Sequence, residues 1–179
     1  MALKEHPHVV TTSIPHDKKT ITYDITAKHR STAVGKVYKI NADGKAELPA
    51  DGEAFDGVII AVDDTQITGA YLFGGLRVPL ASSATVKRGD KLVAGLGPSS
   101  AKGFVKAVSA LTALPATTDV DDVVAGDVDS NAKNAAEQTH TRDYAKGVGT
   151  TVENIVEALK GKGSVMEFDT THALITMPG

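Results

Sequence analysis

The stretch that decides the fold runs from Val34 to Val108 and contains five short runs that are apolar or alternate between apolar and polar residues. They are GKV at 35–37, FDGVI at 55–59, GGLRVPL at 74–80, VKRGDKLV at 86–93 and GFVKAV at 103–108. Each run is closed by glycine or by a charged turn. Short strands separated by such turns are typical of a compact β-barrel or β-sandwich. None of these residues has an evident chemical task, so the stretch favours a surface module over an enzyme.

The same β pattern continues on both sides of these runs. Residues 20–27 alternate between apolar and polar side chains, which predicts a half-buried strand. Residues 57–62 are almost wholly apolar and are predicted to be covered on both faces. Residues 67–73 and 75–78 are predicted as two strands, and two more strands are predicted at 164–168 and 173–177.

The composition fits a single domain with an aliphatic core. Of the 179 residues, 41% are hydrophobic but only 4% are aromatic, so we expect a core of Val, Ile, Leu and Ala. The net charge of −3 and the scarcity of aromatic rings argue against nucleic-acid binding. The absence of cysteine excludes disulfides and thiolate metal sites. No apolar run approaches the roughly 20 residues of a membrane helix, so we expect a soluble protein made in a cytoplasm.

Residues 1–20 are predicted to form an extended N-terminal arm in front of a β-rich body at 21–179. The prolines and histidines of this segment do not suit a packed element. Within it lies a run with good strand propensity, formed by His8, Val9, Val10, Thr11, Thr12 and Ile14. We expect this run to pair with the sheet edge of another chain. A frayed terminus is the alternative.

The C-terminal part of the body has two further features. A polar excursion is predicted at 112–147, with its acidic part at 117–131. Thr150 and Glu153 then have the spacing of a capping box, and the apolar residues up to Leu159 follow a helical period. The predicted fold is therefore mainly β, a β-barrel or β-sandwich of the β-tulip kind, with one short C-terminal α-helix and an extended N-terminal arm.

Few side chains are candidates for chemistry. Gly89 permits a tight turn, and Asp90 is expected to accept hydrogen bonds from the following backbone amides, so both are predicted to be structural. The adjacent Asp63 and Asp64 are predicted to lie in a solvated turn. His6 and His8 have no third and fourth ligand at a recognisable spacing. We therefore predict no catalytic site, no metal and no cofactor.

The runs at 35–37, 55–59, 74–80 and 86–93 resemble the small decoration, or cement, proteins on the capsids of tailed bacteriophages. In that family a strand ending near a proline leads into a Gly-Asp turn and the next barrel strand. The resemblance covers roughly residues 30–108 and, more loosely, 148–179. It implies a non-enzymatic structural virion protein, a homotrimer on the outer capsid surface whose partner is the major capsid protein. It implies neither a nucleic-acid nor a membrane partner. The arm would reach onto the capsid lattice and help to clamp neighbouring subunits.

Two other classes stay open. The run at 86–93 is also found in hammerhead-type carrier domains, which favours a small-ligand or carrier module. The chain lacks the modified lysine tip of such carriers, so this class ranks lower. The other class is a hydrolase on a trimeric β-barrel, with Asp90 or the pair Asp63 and Asp64 in shared sites.

Overall fold

The structure, a computed structural model, describes residues 9–108 and 160–177, which belong to one compact unit. Most of its regular structure is β. The strands are β1 Val9–Pro15, β2 Val37–Ile40, β3 Ala46–Glu47, β4 Gly57–Val62, β5 Gln66–Pro79, β6 Leu92–Gly95, β7 Phe104–Ala107, β8 Ser164–Phe168 and β9 His172–Met177. Within these ranges the helical residues are two short 3-10 turns, Lys28–Arg30 and Pro98–Ser100, and Lys160. The predicted mainly β class is confirmed.

Seven of these strands form one antiparallel sheet in the order β3-β2-β4-β5-β9-β8, with β1 also paired to β5. Strands β6 and β7 form a separate pair. The 14-residue strand β5 organises the sheet, because it pairs with β1, β4 and β9. The order ends at β3 and β8, so the predicted barrel is not closed. A single parallel bridge from His16 to Ala46 brings the end of β1 beside β3, but one bridge is not a continuous ladder.

The buried side chains form two clusters that meet on β4. Val58 belongs to one cluster, with Phe55, and Ile59 belongs to the other, with Tyr38 and Ile67. Neighbouring residues of a strand point to opposite faces of the sheet. Strand β4 therefore contributes to both clusters, which explains its unbroken apolar run and confirms that both of its faces are covered.

Residues 20–27 do not form the strand that their alternation predicts. The carboxylate of Asp17 accepts the backbone N–H groups of residues 19, 20 and 21, and Asp24 Oδ1 accepts the N–H of Thr26 at 2.9 Å. Such local bonds offer the backbone an alternative to a strand ladder. Ile21 is fully buried, whereas Ile25 is 66% exposed. The prediction was wrong because the alternation agrees with the burial of Ile21 but not with the exposure of Ile25.

Residues 9–15 of the predicted N-terminal arm form a strand of the body. Strand β1 pairs antiparallel with β5, with Val9 opposite Phe73 and Pro15 opposite Gln66. The strand propensity of this segment was interpreted correctly, but its partner in the structure is a strand of the same chain. His8 lies outside the described residues.

Two predicted C-terminal features lie outside the described residues. They are the polar excursion at 112–147 and the helix from Thr150 to Leu159. Residues 160–177 contain no α-helix that would support the predicted C-terminal helix, and they form the two predicted strands, β8 and β9. Among the described residues, no helix is long and apolar enough to cross a membrane.

Candidate interaction surface

Strand β1 is mostly exposed although it pairs with the sheet. Only Ile14 is buried, Val9 is half-buried, and the other five residues are exposed. Val10, for example, leaves 46% of its surface accessible. No side chain of the strand carries a charge. The strand is therefore held on β5 mainly by its backbone ladder and by the burial of one side chain.

The C-terminal end of β1 is fixed to the body. Ile14 is 8% exposed and packs in the same cluster as Ile67. The neighbouring His16 is 4% exposed, and its Nε2 lies 3.1 Å from the carbonyl oxygen of Asp63. Its Nδ1 accepts the backbone N–H of Lys18 at 3.2 Å. Because Nδ1 is an acceptor, the proton of the neutral ring lies on Nε2, which donates to Asp63. The ring thus connects the end of β1 to the turn between β4 and β5.

The alternation of the β1–β5 ladder shows which backbone groups face away from β5. The N–H of His16 donates to the carbonyl of Thr65 at 3.2 Å, so these two residues form a hydrogen-bonded pair. Antiparallel strands alternate such pairs with pairs that do not exchange hydrogen bonds. Pro15 then lies at a position that faces away from β5, where its missing N–H costs no ladder bond.

The same alternation extends along the strand to the β-bulge between Val10 and Thr11. The backbone groups of Ile14 and Thr12 face β5, and those of Ser13 and Thr11 face away from it. Among the described residues, no strand pairs with Ser13 or Thr11 on that side. We call the outward-facing backbone groups of Thr11 and Ser13 the free edge. The bulge and Pro15 border it, and both features interrupt strand pairing.

Asp63, one of the aspartates considered for a hydrolase, accepts hydrogen bonds from the backbone of its own turn. Asp63 Oδ1 accepts the N–H groups of Thr65 and Gln66 at 2.9 and 2.8 Å. These bonds lower the pKa of Asp63, which favours its charged form as a turn residue. Asp64 lies exposed beside it. Within residues 9–108 and 160–177, no group of three or more His, Asp or Glu side chains is arranged to hold a metal ion.

The turn at Gly89 and Asp90 contacts β8, the last strand in the order of the sheet. Gly89 has a φ of +89°, and its N–H donates to the carbonyl of Val165 in β8 at 2.8 Å. Asp90 Oδ2 accepts the N–H of Lys87 at 2.7 Å. The sequence predicted that Asp90 would bind the following amides, whereas the structure shows a bond to a preceding one. The contacts of both residues are structural.

Comparisons with known proteins give no relative for this chain, since no family model, no curated protein and no solved structure matches it.

Sequence reasoning missed the buried histidine. His16 was grouped with the unpacked arm because it lies between Pro15 and Asp17, in a segment without apolar periodicity. Its burial depends on the turn that contains Asp63, which lies 47 residues away in the chain. A local pattern holds no signal for such a contact.

Proposed function

We propose that the chain is a structural virion protein of the capsid decoration class. It binds the outer surface of a tailed-phage capsid as a homotrimer and clamps neighbouring major capsid subunits. The observation that carries this proposal is the free edge of β1, which is uncharged and exposed. The class itself rests on the sequence resemblance described above.

A free strand edge recognises another extended segment through backbone hydrogen bonds. In the proposed complex, an extended segment of the capsid protein lies beside Thr11 and Ser13. Each of these two residues offers one N–H and one C=O. The side chains from Val10 to Ser13 are exposed, so they leave room for the added strand.

The expected strength of this contact explains why a trimer is part of the proposal. At about 1 kcal/mol net per hydrogen bond, the free edge contributes about 4 kcal/mol. This corresponds to a Kd on the order of 1 mM for one site. Linking several sites in one particle raises the affinity by about 10²–10⁴. A single free edge is therefore too weak to decorate a capsid, whereas a symmetric oligomer is not.

The body is suited to transmit load between subunits. The free edge continues into Ile14 and His16, both of which are buried. Force applied to the edge would thus reach the core that β4 and β5 share. A clamp needs such a connection, because an arm joined only by flexible chain would not resist separation of the capsid subunits.

The proposal is tested with two substitutions at one residue. Ser13→Pro removes an outward N–H and leaves the β1–β5 ladder intact, as Pro15 already does two residues later. Ser13→Ala is the matched control, because it removes the hydroxyl but keeps the N–H. Capsids assembled from the major capsid protein of the same genome, without this chain, serve as the binding target in a co-sedimentation assay.

We expect the wild type and Ser13→Ala to sediment with the capsids. Ser13→Pro should bind at least about tenfold more weakly, with an unchanged far-UV circular dichroism spectrum. Equal binding of the proline variant would refute the role of the free edge. Failure of the wild type to bind would refute the decoration function itself.

A further inference from the structure

A depression of about 320 Å³ is open on the surface of the body. Three of its lining residues carry hydrogen-bond donors, namely Lys36, Arg77 and His172. Val34, Pro79 and Phe104 contribute apolar walls. The volume exceeds what a single carboxylate needs, so the depression has space for a complete acidic side chain with its methylene groups.

Lys36 carries a charge that the described part of the chain does not neutralise. Its Nζ lies 5.3 Å from the centroid of the Phe104 ring, and among the described residues it forms no ion pair with a carboxylate. Burial lowers the pKa of Lys36, which shows that its charged form is partly desolvated. The aromatic ring offsets only part of that cost. An anion in the depression would offset more of it.

Arg77 and His172 meet across the β5–β9 pair. Leu174 lies opposite Arg77, and His172 lies opposite Pro79, so Arg77 and His172 are diagonal neighbours on one face. The Arg77 Nη2 lies 3.1 Å from His172 Nδ1. The Thr171 hydroxyl oxygen lies 2.8 Å from the same ring nitrogen.

The charge state of His172 follows from its surroundings. Burial and the Arg77 charge lower its pKa, whereas Asp169 acts in the opposite direction. The lowered pKa favours the neutral ring, which keeps one N–H as a donor. Asp169 also contacts Arg77, but at 3.5 Å, which is a long distance for a charged hydrogen bond. The guanidinium thus retains donors for another acceptor.

We propose that this depression binds the carboxylate side chain of a glutamate or aspartate presented by a protein partner. The ammonium, the guanidinium and the imidazole N–H would serve the carboxylate oxygens. The apolar walls would pack against the methylene groups. These walls favour a side-chain carboxylate over a free inorganic anion, which would leave them without a contact. The site lies apart from the free edge and does not depend on the capsid proposal.

The site is tested with small probes in solution. N-acetyl-glutamate amide is titrated into the ¹⁵N-labelled protein, and the amide shifts are followed by NMR. N-acetyl-glutamine amide and inorganic phosphate are titrated in parallel. We expect saturable shifts near Lys36, Arg77 and His172 with the glutamate probe, with a Kd on the order of 1 mM for a ligand of this size.

Two lysine variants distinguish a specific carboxylate site from general electrostatic attraction to the protein. Lys36→Met keeps the aliphatic stem and removes the charge, and it should weaken binding by about tenfold or more, the effect of one charged hydrogen bond. Lys45→Met removes an exposed lysine from the turn between β2 and β3 and should leave binding unchanged. Melting curves of both variants establish that they are folded.

The outcomes that contradict the proposal are distinct. Equal shifts with the glutamine probe, or equal weakening by both lysine variants, would refute a carboxylate site. Binding of phosphate as tight as that of the glutamate probe would refute the side-chain carboxylate and indicate a general anion site. A second readout is the pKa of His172, which a bound carboxylate should raise, because a nearby negative charge favours the imidazolium form.

Discussion

Replacing Ile14 by alanine should destabilise the protein far more than any other truncation within β1. Ile14 is 8% exposed and is the buried side chain of that strand. The lost methyl and methylene groups, at about 0.8 kcal/mol each when buried, give about 2 kcal/mol. The cavity left behind raises the loss in the free energy of unfolding to about 3 kcal/mol. For a chain of this size this lowers Tm by about 6–12 °C.

The matched control is Val10→Ala. Val10 leaves 46% of its surface exposed, so this change should cost only about 0.5 kcal/mol. Urea unfolding followed by far-UV circular dichroism measures both variants, since the chain has no tryptophan. Hydrogen exchange of the β1 amides should accelerate in Ile14→Ala before global unfolding does. A loss at Val10 as large as that at Ile14, or no loss at Ile14, would refute the idea that β1 is fixed at one end.

Three further predictions concern other parts of the body. Gly69→Ala would place its Cβ 2.5 Å from the Tyr38 hydroxyl, so unfolding experiments should show a loss of about 2–3 kcal/mol; an equal loss in a Tyr38→Leu background would contradict this contact. Backbone hydrogen bonds from residues 171 and 172 lower the pKa of Asp169 to about 2. This folded pKa lies below the ordinary value near 3.9, so the carboxylate adds stability above about pH 4 that is lost as the pH falls towards 2. Asp169→Asn should therefore flatten the dependence of Tm on pH below pH 4, and an unchanged profile would count against the assignment. Gly89→Ala should cost about 1–2 kcal/mol because of its positive φ, whereas Gly89→Asn should cost less, and equal melting temperatures of both variants would argue against backbone strain.

The elements that could be predicted from the sequence are those whose local pattern agrees with their tertiary surroundings. Strand β4 was predicted at its observed bounds because both of its faces are buried, and an unbroken apolar run shows this directly. Strands β8 and β9 were predicted because their strand residues flank an evident turn at Asp169. In these places the local preference and the packing favour the same structure.

Other elements could not be predicted, for identifiable reasons. Residues 67–73 and 75–78 were predicted as two strands separated at Gly74, but β5 continues through this position with an irregular register between Phe73 and Leu76. Val86 begins the run at 86–93, whose pattern predicted short strands beside a turn, but it is a buried residue outside the strands, 3% exposed. Glycine and apolar character are thus compatible with more than one backbone path.

The candidate surfaces also could not be predicted from local sequence patterns. The strand propensity of β1 was evident, but its partner depends on the distant contacts of Ile14 and His16. Lys36, Arg77 and His172 are far apart in the chain and follow no spacing motif. Arg77 and His172 meet because β5 and β9 pair in the observed register, and Lys36 reaches the same depression from the segment before β2.

In the proposed function, the free edge of β1 forms the contact with the capsid. A cryo-EM reconstruction of capsids decorated with this chain tests it most directly. We expect density for an extended capsid segment within hydrogen-bonding distance of the backbone of Thr11 and Ser13. Decorated capsids in which that edge faces solvent, with another surface of the body seated on the lattice, would contradict it.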